Sequence, residues 1–291
     1  MLLPEFDYHA PTTLDEAFQI LSAYGPRARL LAGGTDLLVD MKHKRIAPEH
    51  IVAVDRLPGL EDMARSRHDL SIGGRVTATQ LSEDRALRRS LPALAEAAGR
   101  LGSPLIRNRA TLAGNLVTAR PAADLAPPLL ALGAAVVLAG QTGQRTVPVY
   151  EFFVGPGESV IRPDEILTRV VIPRPEPGTG GAFFKLGVRR ALERSIVSVA
   201  VQVGLTADGR RIETARVALG AVAPTPVRSI EAEKALVGHS SDAQTLDRAA
   251  RAACGDACPR GVCTSPEYSI MMVEVLTRRA LQQALARARR G

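Results

Sequence analysis

The chain has 291 residues, 46% hydrophobic and 23% charged, with a net charge of +7 from 37 Lys and Arg against 30 Asp and Glu. That size gives two domains or one large one with a substantial core, and no apolar run approaches the ~20 residues of a membrane span. The arginines are scattered, with Arg-Arg pairs far apart at 88–89, 189–190, 210–211, 278–279 and 289–290, tryptophan is absent and aromatics are 3%, which argues against a nucleic-acid partner.

The N-terminus lacks a basic stretch followed by a long apolar one. The three cysteines, Cys254, Cys258 and Cys263, make no disulfide framework. A reducing, cytoplasmic location is expected.

Thr13-Leu14-Asp15-Glu16 reads as a capping box opening a helix with Leu14, Ala17, Phe18 and Leu21 on one face, stopped by Gly25. A strand over 28–31 feeds the loop Ala32-Gly33-Gly34-Thr35-Asp36, followed by a short helix to residue 42 and a strand over 51–54. Further strands are predicted at 70–73, 134–138 and 166–172. Helices are predicted at 92–100 and 124–132, the latter with Pro127 and Pro128 in its first turn. The Pro- and Gly-rich segment 173–181 is the expected domain boundary. It divides the chain into 1–177, with subdomains of about 1–57 and 58–177, and 178–291. The second part should hold three antiparallel strands, 183–188, 196–205 and 212–220, with a turn at Asp208-Gly209. Helices follow at 229–236 and 243–254, then a long last helix whose Tyr268, Met272, Val275 and Leu276 read as core packing. The fold class is α+β.

The loop after residue 31 is echoed by Thr111-Leu112-Ala113-Gly114-Asn115. Glycine allows positive φ and close approach, so amide groups can converge on an anion. Two such loops, each with a threonine, suggest a diphosphate held between them. There is no G-x-G-x-x-G after the first strand, no P-loop lysine motif, no H-E-x-x-H and no G-x-S-x-G. His9, His43, His50, His68 and His239 lack metal-ligand spacing, and three cysteines fall short of the four ligands a cluster needs, so no metal is expected in this chain. Nothing reads as a nucleophile or general base, and any redox chemistry must come from a cofactor.

Ala32-Gly33-Gly34-Thr35-Asp36 resembles the first FAD loop of the flavin-binding medium subunit of molybdenum hydroxylases, the family of bacterial carbon monoxide, xanthine, quinoline and nicotinate dehydrogenases. The segment from Ile106 through Asn115 to Pro127 resembles its second FAD loop. The resemblance continues in Asp164-Glu165-Ile166-Leu167, Ala182 to Gly187, Leu219 to Ala223, Pro266-Glu267-Tyr268 and Arg278 to Leu281, in order along nearly the whole chain. It implies a two-subdomain FAD-binding fold of the vanillyl-alcohol-oxidase (PCMH) type, followed by a three-stranded antiparallel sheet packed on helices.

The resemblance further implies that Leu30, Leu31, Ala32, Gly33, Gly34, Thr35, Asp36 and Leu37 wrap the FAD diphosphate. Thr111, Ala113, Gly114 and Asn115 would bind from the second loop and Asp124 on the adenosine side. Leu101 and Leu167 would line the ring slots, with Lys185 near the cofactor. Read without the family, Asp124 is a helix N-cap, Lys185 a solvated lysine, and Leu101 and Leu167 plain core. Ala110 and Ala113 stand where the family usually has glycine, so ordinary backbone angles are expected there. Arg120 stands where serine is common, and residues 259–265 replace a usually acidic stretch. Gly34→Val is expected to abolish FAD retention.

The implied role is an FAD-bearing electron-transfer subunit. A large molybdopterin subunit and a small subunit with two [2Fe-2S] clusters would be its partners, in a dimer of heterotrimers. NAD⁺, oxygen or a quinone would accept the electrons. Two alternatives stay open at this point. One is a self-contained flavoenzyme resembling UDP-N-acetylenolpyruvoylglucosamine reductase; the other is an assembly protein that has lost flavin.

Overall fold

A computed structural model describes residues 2–189, 194–260 and 264–290. Strand β1 (Asp7–His9) precedes helix α1 (Leu14–Tyr24). The Thr13 hydroxyl accepts from the Glu16 amide, but the Glu16 carboxylate accepts from the amide of Thr12 rather than Thr13, so the reciprocal half of the cap is shifted by one residue. Strand β2 (Ala28–Leu31), helix α2 (Leu37–Lys42) and strand β3 (His50–Ala53) complete a small parallel sheet of order β1-β3-β2. Ala17, Phe18 and Leu21 of α1 bury against Ala28 and Val52, as their spacing requires.

The next region contains β4 (Met63–Arg65), β5 (Asp69–Gly73), α3 (Ala78–Glu83), α4 (Arg85–Ser90), α5 (Pro92–Arg100), α6 (Pro104–Arg107), α7 (Leu112–Val117) and α8 (Ala126–Ala131). It continues with β6 (Ala135–Gly140), β7 (Gly143–Pro148), α9 (Val149–Phe152), the two-stranded pair β8 (Phe153–Gly155) and β9 (Glu158–Ser159), and β10 (Ile166–Pro173). Its main sheet is antiparallel, in the order β4-β5-β10-β6-β7.

The last region begins with β11 (Thr179–Leu186), β12 (Val197–Leu205), β13 (Ile212–Gly220) and β14 (Val227–Arg228). Helices α10 (Ile230–Leu236), α11 (Ala243–Ala252) and α12 (Pro266–Ala288) follow. The sheet has four strands, not three: β14 adds two residues at one edge, opposite Ala218 and Leu219. Two residues carry no period-2 signal, which is why sequence reading missed them. Strand β11 starts inside the stretch expected as linker, because its glycines let a helix lie directly on the strand: a Cβ on Gly180 would sit 2.1 Å from the Ala284 carbonyl oxygen of α12.

The last two regions stack as sheet, helices, sheet and helices. The main core fills the space between the five-stranded sheet and α3, α5, α7 and α8, and also takes in Phe183, Ala200 and Ala218 from the last sheet. A second core lies on the opposite face of that sheet, under α10, α11 and α12. The last sheet is therefore buried on both faces, and α5 and α8 lie between the two sheets. The face of α12 that packs is Val273, Leu276, Ala280, Leu281 and Ala284. The expected stripe of Tyr268, Met272, Val275 and Leu276 holds in part: Leu276 is inside this core and Met272 packs against it, whereas Tyr268, in the first turn and 40% exposed, and Val275 are outside it.

Candidate functional site

The two glycine loops meet backbone to backbone. A Cβ built on Gly33 would lie 1.9 Å from the Arg109 carbonyl oxygen and 3.2 Å from the Ala110 Cα, so the first loop rests directly on the second. Gly34 has φ +73°, the left-handed region that glycine enters without penalty. An added Cβ there would meet the Leu38 and Leu31 side chains at 3.0 and 3.2 Å. Gly33 thus serves close approach and Gly34 serves backbone conformation.

Between strand β2 and helix α2 the amides of Gly33, Gly34, Thr35, Asp36 and Leu37 donate to no group among the described residues. Five consecutive free donors around a left-handed glycine are the raw material of an anion cradle. The second loop is built differently. Leu112 N–H donates to the Val76 carbonyl, Ala113 N–H to Gly74, Gly114 N–H to the Thr111 hydroxyl and Asn115 N–H to the Thr111 carbonyl. Those amides are used, so what this loop offers is side-chain chemistry: the Thr111 hydroxyl proton and the Asn115 amide nitrogen. The Asn115 Oδ1 accepts from the Leu125 amide at 3.1 Å, which assigns its orientation and ties α7 to the segment before α8. Among the described non-glycine residues only Lys44, Ala119 and Ala221 have positive φ, so Ala110 and Ala113 have the ordinary angles their side chains require.

Asp124 is not the cap of α8. The helix begins at Ala126, and the Asp124 side chain turns inward, where Lys185 Nζ donates to Oδ2 at 2.6 Å and Ser195 Oγ donates to Oδ1 at 2.7 Å. Lys185 Nζ also donates to the Arg100 carbonyl at 3.2 Å, at the end of α5. The Asp124 and Lys185 side chains are each only 8% exposed, so Lys185 is not the solvated lysine that a strand edge suggests. Burial pushes the Asp124 carboxyl above its ordinary value, while the Lys185 charge and the hydrogen bonds from Lys185 and Ser195 pull the other way. Helix α5 fixes the register of this pair: Glu96 accepts from the Phe183 amide at 3.0 Å, two residues before Lys185.

Leu101 and Leu167 are buried in the main core, beside Ala110 and Leu112. Leu30 and Leu31 end strand β2, and Ala32 packs partly against the core under α1. Sequence reading missed Ser195 and Arg100: a serine ahead of a strand and a backbone carbonyl carry no local signal. Among the described residues no three His, Cys, Asp or Glu side chains form a group able to hold a metal. Cys254 faces the carbonyls of Ala250 and Ile270, Cys258 is exposed, and Cys263 lies outside the described residues. No described helix is long and apolar enough to cross a membrane.

Free amides in the first loop, threonine and asparagine side chains in the second and a buried carboxylate are groups that could receive a flavin nucleotide. The model for the FAD binding domain in molybdopterin dehydrogenase matches residues 4–175, and that for the CO dehydrogenase flavoprotein C-terminal domain matches 182–284; the chain belongs to this family of FAD-binding subunits of molybdenum-containing oxidoreductases. It is 35% identical over 284 residues to the xanthine dehydrogenase FAD-binding subunit of Escherichia coli O157:H7, covering 97% of this chain and 96% of the relative. It is 32% identical over 288 residues to the carbon monoxide dehydrogenase medium chain of Hydrogenophaga pseudoflava, covering 99% of both. Superposed on a solved carbon monoxide dehydrogenase from Hydrogenophaga pseudoflava, one that lacks the Mo-pyranopterin moiety of its cofactor, the chain gives a TM-score of 0.94 at 33% identity, with 99% of each chain covered.

The residues present fit FAD. The free amides of the first loop would neutralise phosphate without a metal, and the seam at Gly33 leaves no room for a side chain between the loops.

Proposed function

We propose that this chain is the FAD-holding electron-transfer subunit of a heterotrimeric molybdenum hydroxylase. It would take electrons from [2Fe-2S] clusters of a small partner subunit and deliver them to an external acceptor: NAD⁺, oxygen or a quinone. A large partner subunit would hold the molybdopterin and oxidise substrate, and the complex would be a cytoplasmic dimer of heterotrimers. The observation that carries the reading is the row of five free amides on Gly33 to Leu37, set against the second loop. Whole-length similarity to subunits and medium chains of such dehydrogenases supports it.

The division of labour within the chain follows. FAD, when bound, supplies all the redox chemistry; the protein binds it, orients it and keeps water from it. Leu30 to Leu37 would cradle the diphosphate, with Thr111, Ala113, Gly114 and Asn115 facing them across the seam. Asp124 would accept from ribose hydroxyls, held in place by Lys185. Leu101 and Leu167 would wall the rings. The FAD domain would be residues 1–177, with subdomains of about 1–57 and 58–177, and the second domain 178–291.

Gentle purification from the native host, with the visible spectrum and the co-purifying chains recorded, tests this. Flavin and iron–sulfur absorbance with two partner subunits, one holding molybdenum, is the expected result. A flavin-bearing lone chain that turns over a substrate would replace the relay with a self-contained enzyme, and a colourless lone chain would overturn both.

A further inference from the structure

Arg120 joins the two halves of the diphosphate site. It follows the second loop, yet its guanidinium reaches back across the seam to the first: Nε lies 3.0 Å from Asp36 Oδ1, and Nη2 donates to Asp40 Oδ2 at 2.9 Å. Asp36 is the last residue before α2 and owns one of the five free amides of the cradle; Asp40 lies one turn further along the same helix. Asp40 is also paired with Arg45 through Oδ1 at 2.8 Å, whereas Asp36 has Arg120 as its one cation among the described residues. The Arg120 Nε is buried and its approach to Asp36 is off the N–H line, so this contact is a charge pairing without a directed hydrogen bond.

The backbone is committed to this arrangement. Ala119, fully buried, has φ +46°, a left-handed conformation that disfavours any residue carrying a Cβ. Its carbonyl is held by the Gly157 amide at 2.9 Å, and the Pro121 carbonyl by the Ala221 amide at 2.8 Å. Arg120 follows Ala119 directly, and its guanidinium reaches the carboxylates of Asp36 and Asp40.

A carboxylate on the rim of an anion cradle opposes the anion it surrounds. We propose that Arg120 is a positioning residue for the diphosphate loop: by neutralising Asp36, and with Arg45 Asp40, it removes the repulsion those carboxylates would exert and holds the first loop on the second. Arg120 thus acts through Asp36 and not as a phosphate ligand. The inference rests on the FAD reading above.

The test is FAD titration of the apo full-length chain by flavin fluorescence at low salt, with thermal unfolding recorded for each variant. Arg120→Ser should weaken FAD at least about tenfold, the effect of one uncompensated charge at close range. The double variant Arg120→Ser/Asp36→Asn should recover to within about threefold of wild type, because the repelling carboxylate is gone. Added salt should tighten FAD on Arg120→Ser by screening that repulsion, and should not tighten it on wild type. If Arg120 instead contacted phosphate directly, Asp36→Asn would rescue nothing and salt would weaken binding throughout; that result overturns the proposal. Should Arg120→Ser fail to fold, Asp36→Asn alone decides: FAD bound as tightly as wild type or tighter supports the charge argument, and a tenfold loss refutes it. A wild-type chain that takes up no FAD in the same titration would overturn the FAD reading itself.

Discussion

Replacing Gly33 with alanine should break the contact between the two loops. The new Cβ would lie 1.9 Å from the Arg109 carbonyl oxygen and 2.6 Å from its carbon, both backbone atoms that no side-chain rotation can move. Restoring ordinary van der Waals contact requires the loops to part by roughly 1.5 Å. Overpacking of this kind costs about 1–3 kcal/mol, and a backbone neighbour puts it at the upper end. For a chain of 291 residues about 3 kcal/mol lowers the melting temperature by roughly 5 °C. The effect on cofactor is larger in proportion. A diphosphate spanning both loops cannot keep donors on each side when they separate, and losing two charge-assisted hydrogen bonds, each worth about 1.5–3 kcal/mol, weakens FAD by at least about 100-fold. Fluorescence titration of the apo chain, well below both melting temperatures, reads this directly. Gly209→Ala is the control, since Gly209 also has positive φ, +68°, but faces open space in the β12–β13 turn. It should lose about 1 kcal/mol of stability and bind FAD normally. A Gly33→Ala chain that binds FAD as tightly as the control would refute the claim that both loops hold one diphosphate.

Three further outcomes follow from the same geometry. Lys185→Met leaves a buried carboxylate without its cation and should cost about 3–5 kcal/mol in urea unfolding of the apo chain, much of it regained in Lys185→Met/Asp124→Asn; a single variant as stable as wild type would contradict the burial. Because burial holds the Asp124 carboxyl above its ordinary value, the native state keeps a proton that the unfolded chain has already lost, so this group's contribution to stability falls as pH rises from about 4 through the raised value. The stability of wild type minus that of Asp124→Asn should therefore decline over that window and then level off, and a difference that rises with pH would show the opposite shift. Gly34→Val should lose FAD retention through left-handed strain and crowding of Leu38 and Leu31, measured as flavin content after desalting; full occupancy would count against the cradle.

Much of this molecule is written locally. The Thr13 cap, the apolar face of α1, the prolines at the start of α8, the turn at Asp208-Gly209 and the two glycine loops each depend on a few neighbouring residues and their backbone preferences, so a single sequence displays them. The resemblance of the two loops and of the later segments to FAD-binding subunits is likewise a property of sequence order.

Other features have no local cause. Strand β7 is largely exposed and lacks alternation, so only its partner β6 makes it a strand. Thr179, Gly180 and Gly181 look like linker until α12 is laid across them. Asp124 follows a helix-capping pattern, yet Lys185, 61 residues away, and Ser195, 71 away, draw it inward instead. The same holds for the Arg120 pairing with Asp40 across 80 residues. The sequence by itself determined which backbone segments could cradle an anion, because that depends on φ and on side-chain size. Only the tertiary structure decided that the first loop keeps its amides free while the second spends Leu112 and Ala113 on the Val76 and Gly74 carbonyls, because that depends on which distant groups reach each donor first.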